Sequence, residues 1–386
     1  MKHSNSSTLI ALSTAAMLLP GLSKKVDASS LEQVTTFDYK YSNYKEGEIA
    51  RDKLAEGSGA ERYTIDVNQF KFKTAISSNT EISVSGVQES MTGASPWYID
   101  VDDNGKLLQA MSGATIEEER TELGLDARIV TEKFDSSISF GTSKENDYQS
   151  FSGGLSGAYR LYPNLTVDFG ANYSKDYIDA TDVKDYPDRP SDKTKNRFGT
   201  MFGASFVATK TTLLGASFGY SLLDGYLTDA YKAVRVNGDT IRESRPDTNG
   251  QFSWTIMWRE FFPKANAALH VDYGQYSNDW ELSSRTVKVA WYQNIGKGWQ
   301  IIPSVRHYQQ TAAIFYKPVY DVARADNYHS SDYRLSEFSA NNAQIKLLKN
   351  FDSFYIDIAY ESYSATGDNP GLVSYEMTTL GVGVKF

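Results

Sequence analysis

Three features of the sequence predict an all-β chain folded as a transmembrane antiparallel up-and-down β-barrel of about 16 strands. Apolar and polar residues alternate with a period of two in segments spread along the chain, the pattern of strands with one face in an apolar medium. Connections between these segments alternate between short and long, as the turns at one rim of a barrel and the loops at the other do. Aromatic residues make up 13% of the chain, with 26 Tyr and 19 Phe, yet mean hydropathy is only −0.45. An aromatic lipid face diluted by an equally long polar face accounts for both numbers.

At the N-terminus Met1, Lys2 and His3 precede an apolar stretch from Leu9 to Leu22, too short to span a bilayer. Small residues follow, with Val26 and Ala28 at the −3 and −1 positions of a cleavage site, so residues 1–28 read as a signal peptide. Residues 29–386 then form one exported barrel domain, with no later apolar run near the ~20 residues a membrane helix needs. The net charge of −9 and pI near 5.1 argue against a nucleic-acid partner. The absence of cysteine excludes disulfides, thiolate metal sites, a lipidated N-terminal Cys and covalent haem, and no cofactor is expected.

The first strand, Thr35–Tyr44, sets Phe37, Tyr39 and Tyr41 against Asp38 and Lys40. The second, Tyr63–Thr74, starts with Tyr63, Ile65 and Val67 outward and changes phase at Phe70 and Phe72, which predicts a bulge near Asn68–Gln69. After a third at Glu81–Ser90, the fourth sets Leu123, Leu125, Ala127 and Ile129 against Asp126 and Arg128, and a Phe134–Ser136 turn leads to the fifth. Phe198, Phe202, Ala204 and Phe206 share one face of the eighth strand, opposite Arg197, Gly199, Gly203 and Ser205. The tenth alternates most clearly, with Phe252, Trp254, Ile256 and Trp258 against Ser253, Thr255 and Arg259. Trp254, Trp258, Trp291 and Trp299 are expected near the edges of the lipid belt, with Ala267, Leu269 and Val271 inside it. At the end, Leu380, Val382, Val384 and Phe386 form an apolar face that closes the barrel by pairing with the first strand. A strand ending in Phe resembles the assembly signal of bacterial outer-membrane barrels. Outer-membrane lipid and the barrel-assembly machinery are therefore the expected partners, and the cell outer membrane the expected location.

By alternation, the face opposite the apolar one carries Asp126, Arg128, Arg160, Asp168, Arg197, Arg259, His270, Asp272, Lys288, Arg306, Asp357 and Glu361. Such groups facing lipid would cost several kcal/mol near the midplane, so a wet lumen is their expected place. They either neutralise one another in ion pairs or line a path that selects a solute. No GxSxG elbow or HExxH motif is present, and His270 beside Asp272 has no signature nucleophile, so no catalytic residue is expected. Asp100, Asp102 and Asp103 before Asn104-Gly105 faintly resemble a calcium loop but lack the closing Glu, so they read as a turn and no metal site is expected.

Five connections are long: Lys45–Ala60, Met91–Thr115, Lys175–Lys195, Asp224–Pro246 and Ala313–Tyr333. Two are more apolar than exposed loops need be. Ser95, Pro96, Trp97 and Tyr98 in one, and Phe315 and Tyr316 in the other, are candidates for a constriction. The segments TGASPWY, SGATIEEER, SVRHYQQTAAIFY and SDYRLSEF resemble blocks of the domain of unknown function 3570 family, and the similarity covers nearly the whole mature chain. The resemblance implies an outer-membrane barrel, with no substrate or catalytic residue attached. Members' genomic neighbours imply a periplasmic redox or lipoprotein partner. The expected function is a pore or transport channel for an unidentified solute. The alternative is a barrel scaffold that binds a periplasmic or surface partner, within an envelope redox system.

Overall fold

The computed structural model describes residue 31, residues 33–112 and residues 116–386. The signal-peptide reading lies outside them. Sixteen antiparallel strands close into a barrel. They are β1 Thr36–Glu46, β2 Thr64–Ala75, β3 Thr80–Gly93, β4 Ile116–Val130, β5 Phe134–Lys144, β6 Tyr148–Tyr162, β7 Leu165–Ile178 and β8 Lys193–Val207. There follow β9 Thr212–Gly225, β10 Thr248–Phe262, β11 Ala267–Asn278, β12 Ser283–Gly296, β13 Trp299–Gln310, β14 Phe338–Asn350, β15 Phe354–Thr366 and β16 Ser374–Lys385. Each barrel strand pairs with its sequence neighbours, and β1 pairs with β16, with Phe37 opposite Val384 and Tyr41 opposite Leu380. No edge remains to be satisfied, which is the condition for strands to cross hydrocarbon.

Register carries the outward face around the wall. Phe202 lies opposite Phe169 on β7 and Phe218 on β9, and Phe218 lies opposite Trp254 on β10. The large outward side chains are exposed, among them Phe202 at 64%, Leu125 at 57% and Ile256 at 53%. An apolar surface this continuous around a protein is stable only against lipid.

Strand β2 corrects the expected phase. It pairs without a register shift with both β1 and β3 from Thr64 to Lys73, so there is no bulge at Asn68–Gln69. Phe70 and Phe72 face outward, and Tyr63, Ile65 and Val67 therefore face inward, packed with Tyr44 and Met91 in a small core. Near the loop end of the barrel the inner face meets folded loops rather than water, so apolar residues occur on it. The turn before β5 is also earlier than expected: Phe134 is already in the strand, its N–H donates to Thr131 Oγ1, and the Thr131 N–H donates to the carbonyl of Phe134.

Trp254, Trp258, Trp291 and Trp299 share the outward face by register. Trp299 begins β13 at the short-turn end, where Trp291 packs 5.5 Å from Phe262. Leu269 lies opposite the carboxylate-bearing Glu260 on the same face, which places it at the edge of the apolar band rather than inside it. Val271, opposite Trp258, lies further in.

The long connections have structure of their own. Residues between β3 and β4 form a hairpin, Pro96–Val101 with Leu107–Met111. Ala233–Val236 and Asp239–Arg242 pair with each other, and Val319–Tyr320 adds in parallel to make a small sheet from two loops.

Candidate functional site

The wall of the barrel positions one set of groups and the loops at its mouth another. On the wall, register places all twelve of the expected polar residues on the face opposite the exposed apolar one. Arg128 pairs with Asp135 at 2.6 Å and approaches Glu81 at 3.7 Å, Arg259 pairs with Asp272 at 2.5 Å, and Lys346 pairs with Asp357 at 3.0 Å. Asp126 accepts from Ser83, while Glu361 accepts from Asn342, Gln344 and Tyr375. Lys288 lies beside Arg306 across strands, and neither has an ion-pair partner among the described residues, nor do Arg160, Asp168 and Arg197. His270 packs against Tyr292 with ring centroids 4.2 Å apart and ring planes tilted by 38°. On the same inner face Ser156, Met201 and Ser253 are exposed, Met201 at 43%, so side chains do not fill the barrel at that level.

The mouth is different. Arg62, at the end of the loop after β1, donates to Glu46 at 2.6 Å and to the carbonyl of Gly371 at 3.0 Å, from the opposite ends of the chain. Its guanidinium lies 5.7 Å from the Tyr333 ring centre, and Lys232 Nζ lies 5.6 Å from the same ring. Lys232 also donates to the carbonyl of Pro96 at 2.6 Å, which ties the 226–247 loop to the hairpin after β3. Asn369 donates to the Tyr316 hydroxyl at 2.8 Å. Four loops and the last hairpin connection thus meet across one end of the barrel.

At the centre lies a buried, charge-balanced cluster: Asp229, Glu243 and Asp332 against Lys232, Arg245 and Arg334. Arg245 bridges Glu243 at 2.8 Å and Asp332 at 2.7 Å, and Arg334 reaches Asp229 at 2.8 Å. Burial alone would raise the Asp332 carboxyl, but Arg334, Lys232 and Arg245 outweigh it and hold that group well below the usual carboxylate range. Burial lowers the Lys232 ammonium and raises the Tyr333 hydroxyl. The group is a latch: six charges compensate one another and fix the 226–247 loop to the 311–337 loop, far apart in sequence.

Of the expected constriction residues, Ser95, Pro96 and Phe315 are buried in this assembly, Tyr98 and Tyr316 are half-buried, and Trp97 stays 40% exposed. The 226–247 loop joins their two loops, reaching one through Lys232 to Pro96 and Arg235 to Asp100 at 3.5 Å and the other through Arg245 to Asp332 at 2.7 Å. Asp102 accepts from the backbone of Asn104 and Lys106, so that acidic run is a hydrogen-bonded turn. His329 is buried, with its Nε2 accepting from the backbone of Arg324 at 2.9 Å. The latch itself was missed in the sequence. Asp332 and Arg334 stand two apart in SDYRLSEF, but their partners Asp229 and Arg245 lie in a loop whose polar composition looks solvated.

The barrel resembles solved outer-membrane barrels. A bacterial polysaccharide outer membrane secretin superposes with a TM-score of 0.53 at 8% identity, covering 92% of this chain and 99% of that one. CdiB from Acinetobacter baumannii gives a TM-score of 0.53 at 8% identity, covering 92% of this chain; this chain spans 60% of CdiB. At such identities the likeness is one of fold. A comparison with curated protein sequences finds no significant match. The family described as "Protein of unknown function (DUF3570)" matches residues 9–382, and the chain, a closed barrel of the outer-membrane kind, belongs to it.

Proposed function

We propose that this chain is an outer-membrane pore for a small solute, with its outer mouth narrowed by its own loops, and that it has no catalytic role. The supporting observation is the contrast between the two levels of the lumen: exposed inner Ser156, Met201 and Ser253 below, and the buried Asp332 latch above. A barrel of this strand number encloses more space than its side chains fill, and short turns mark the periplasmic rim. Arg259 and Lys346 are neutralised by Asp272 and Asp357, while Lys288 and Arg306, side by side without an ion-pair partner among the described residues, leave an excess of positive charge on this stretch of wall that favours anionic solutes modestly. Assembly through the C-terminal strand ending at Phe386 fits the same reading.

Exposed apolar side chains favour a second reading, a scaffold for a surface or periplasmic partner such as a redox protein or lipoprotein. Trp97 at 40%, Ile314 at 52% and Val322 at 77% exposure lie in the loops. Swelling of proteoliposomes in small sugars and organic acids separates the two readings. The pore reading expects swelling that quickens when Ser95–Gln109 is deleted, whereas a scaffold shows none in either protein.

A further inference from the structure

Glu118, Glu145 and Asp147 meet at the loop end of β4, β5 and β6, and none of them belongs to the latch or to a segment read as a metal motif. One carboxylate oxygen from each lies within 4.8 Å of the others, and all three residues are buried. Glu118 lies near the start of β4, while Glu145 and Asp147 flank Asn146 in the short connection between β5 and β6. The Asn146 N–H donates to Glu118 Oε1 at 3.0 Å, and the Tyr231 hydroxyl donates to Asp147 Oδ2 at 2.6 Å. Glu145 is the exception. It is only 5% exposed, and neither of its carboxylate oxygens has a hydrogen-bond partner among the described residues. An ionised carboxylate out of water without a donor is strongly unfavourable. Burial, and then Asp147, raise its proton affinity well above that of an ordinary carboxyl, with Glu118 and Glu89 adding to the effect and Arg120 opposing it. Arg120 is itself shared with Glu89 at 3.4 Å and with Glu122, and Arg189 over the Tyr231 ring is paired with Asp182 at 2.6 Å.

We propose that Glu118, Glu145 and Asp147 bind a divalent cation of the hard, oxygen-preferring class, calcium before magnesium. Three oxygens mutually within 4.8 Å leave a point about 2.8 Å or less from each, a small contraction away from calcium–oxygen distances of about 2.3–2.6 Å. Magnesium requires about 2.0–2.1 Å and near-octahedral order, which this set reaches only with larger movement. An all-carboxylate donor set without His or Cys disfavours zinc and copper. The cation supplies the positive charge that Glu145 lacks. It also fixes the β5–β6 tip to the 226–247 loop, because Asp147 accepts from Tyr231, next to the latch residue Lys232.

The test uses the full mature barrel in detergent, freed of metal with a chelator. Terbium, excited through nearby tyrosines such as Tyr231, should give saturable luminescence that calcium displaces in the range of about 10⁻⁴–10⁻³ M, the range of extracellular calcium modules. Glu145→Gln should weaken calcium binding roughly tenfold or more while leaving the folded barrel intact. The same change should stabilise the metal-free protein, because it removes a repelling charge. Glu119→Gln, on the exposed outward face of β4, should leave binding unchanged. The proposal is overturned by an absence of saturable terbium signal, or by calcium binding that Glu145→Gln leaves intact. Stabilisation of the wild type by acid with indifference to calcium also overturns it, since the carboxyls would then be sharing protons.

Discussion

An Ile256→Arg protein is expected to yield almost no folded barrel. Ile256 faces outward at 53% exposure between Ala216 and Tyr273, several residues from either end of β10. A cation there meets hydrocarbon and costs about 2–4 kcal/mol at the midplane, falling to about 0–1 kcal/mol near the interfaces. Leu269→Arg, level with Glu260, should therefore be much milder. Thr255→Arg, on the inner face, should fold nearly as well as wild type. The check is the share of protein that migrates as a compact band in SDS until heated. Equal losses at Ile256 and Thr255 would show that the strand phase is wrong.

Asp332→Asn carries the second large effect, confined to the mouth. Its side chain is fully buried between Arg245 and Arg334, and removing one partner of a buried pair costs about 3–5 kcal/mol because a charge is stranded. The barrel ladder does not run through this residue, so heat-modifiable folding should persist while the 226–247 and 311–337 loops become open to protease. Asp326→Asn is the contrast. Its pair with Arg324 is at the surface, where such pairs are worth about 0–1 kcal/mol, and the loops should stay protected. The pH dependence has a definite sign. A carboxyl whose folded-state proton affinity is depressed stabilises above its unfolded value near pH 4, and that contribution fades only as pH falls through the lower folded value. Loop protection by Asp332 should therefore be unchanged between about pH 7 and pH 5.

The strand order and most of the faces were legible because a barrel imposes one period on every strand, and that period survives in sequence. Phe252, Trp254, Ile256 and Trp258 needed nothing beyond alternation to be placed on one face. Legibility ended where apolar ceased to mean lipid-facing. Ile65 and Val67 keep the period but face inward against Tyr44 and Met91, and only the folded loops explain why. The latch was less legible still. Ion pairs such as Arg245 with Asp332 join positions 87 residues apart in connections that carry no periodic signal. Glu118, inside the run Glu117-Glu118-Glu119, reads as solvated until the fold brings Glu145 and Asp147 beside it.

Single-channel conductance in planar bilayers tests the central claim most directly. The account predicts a small, stable current through the wild type that rises when Ser95–Gln109 is deleted or Asp332 is replaced by Asn. Neutralising Arg306 should lower its anion preference. A correctly folded, heat-modifiable barrel that stays silent in all of these forms would contradict the pore.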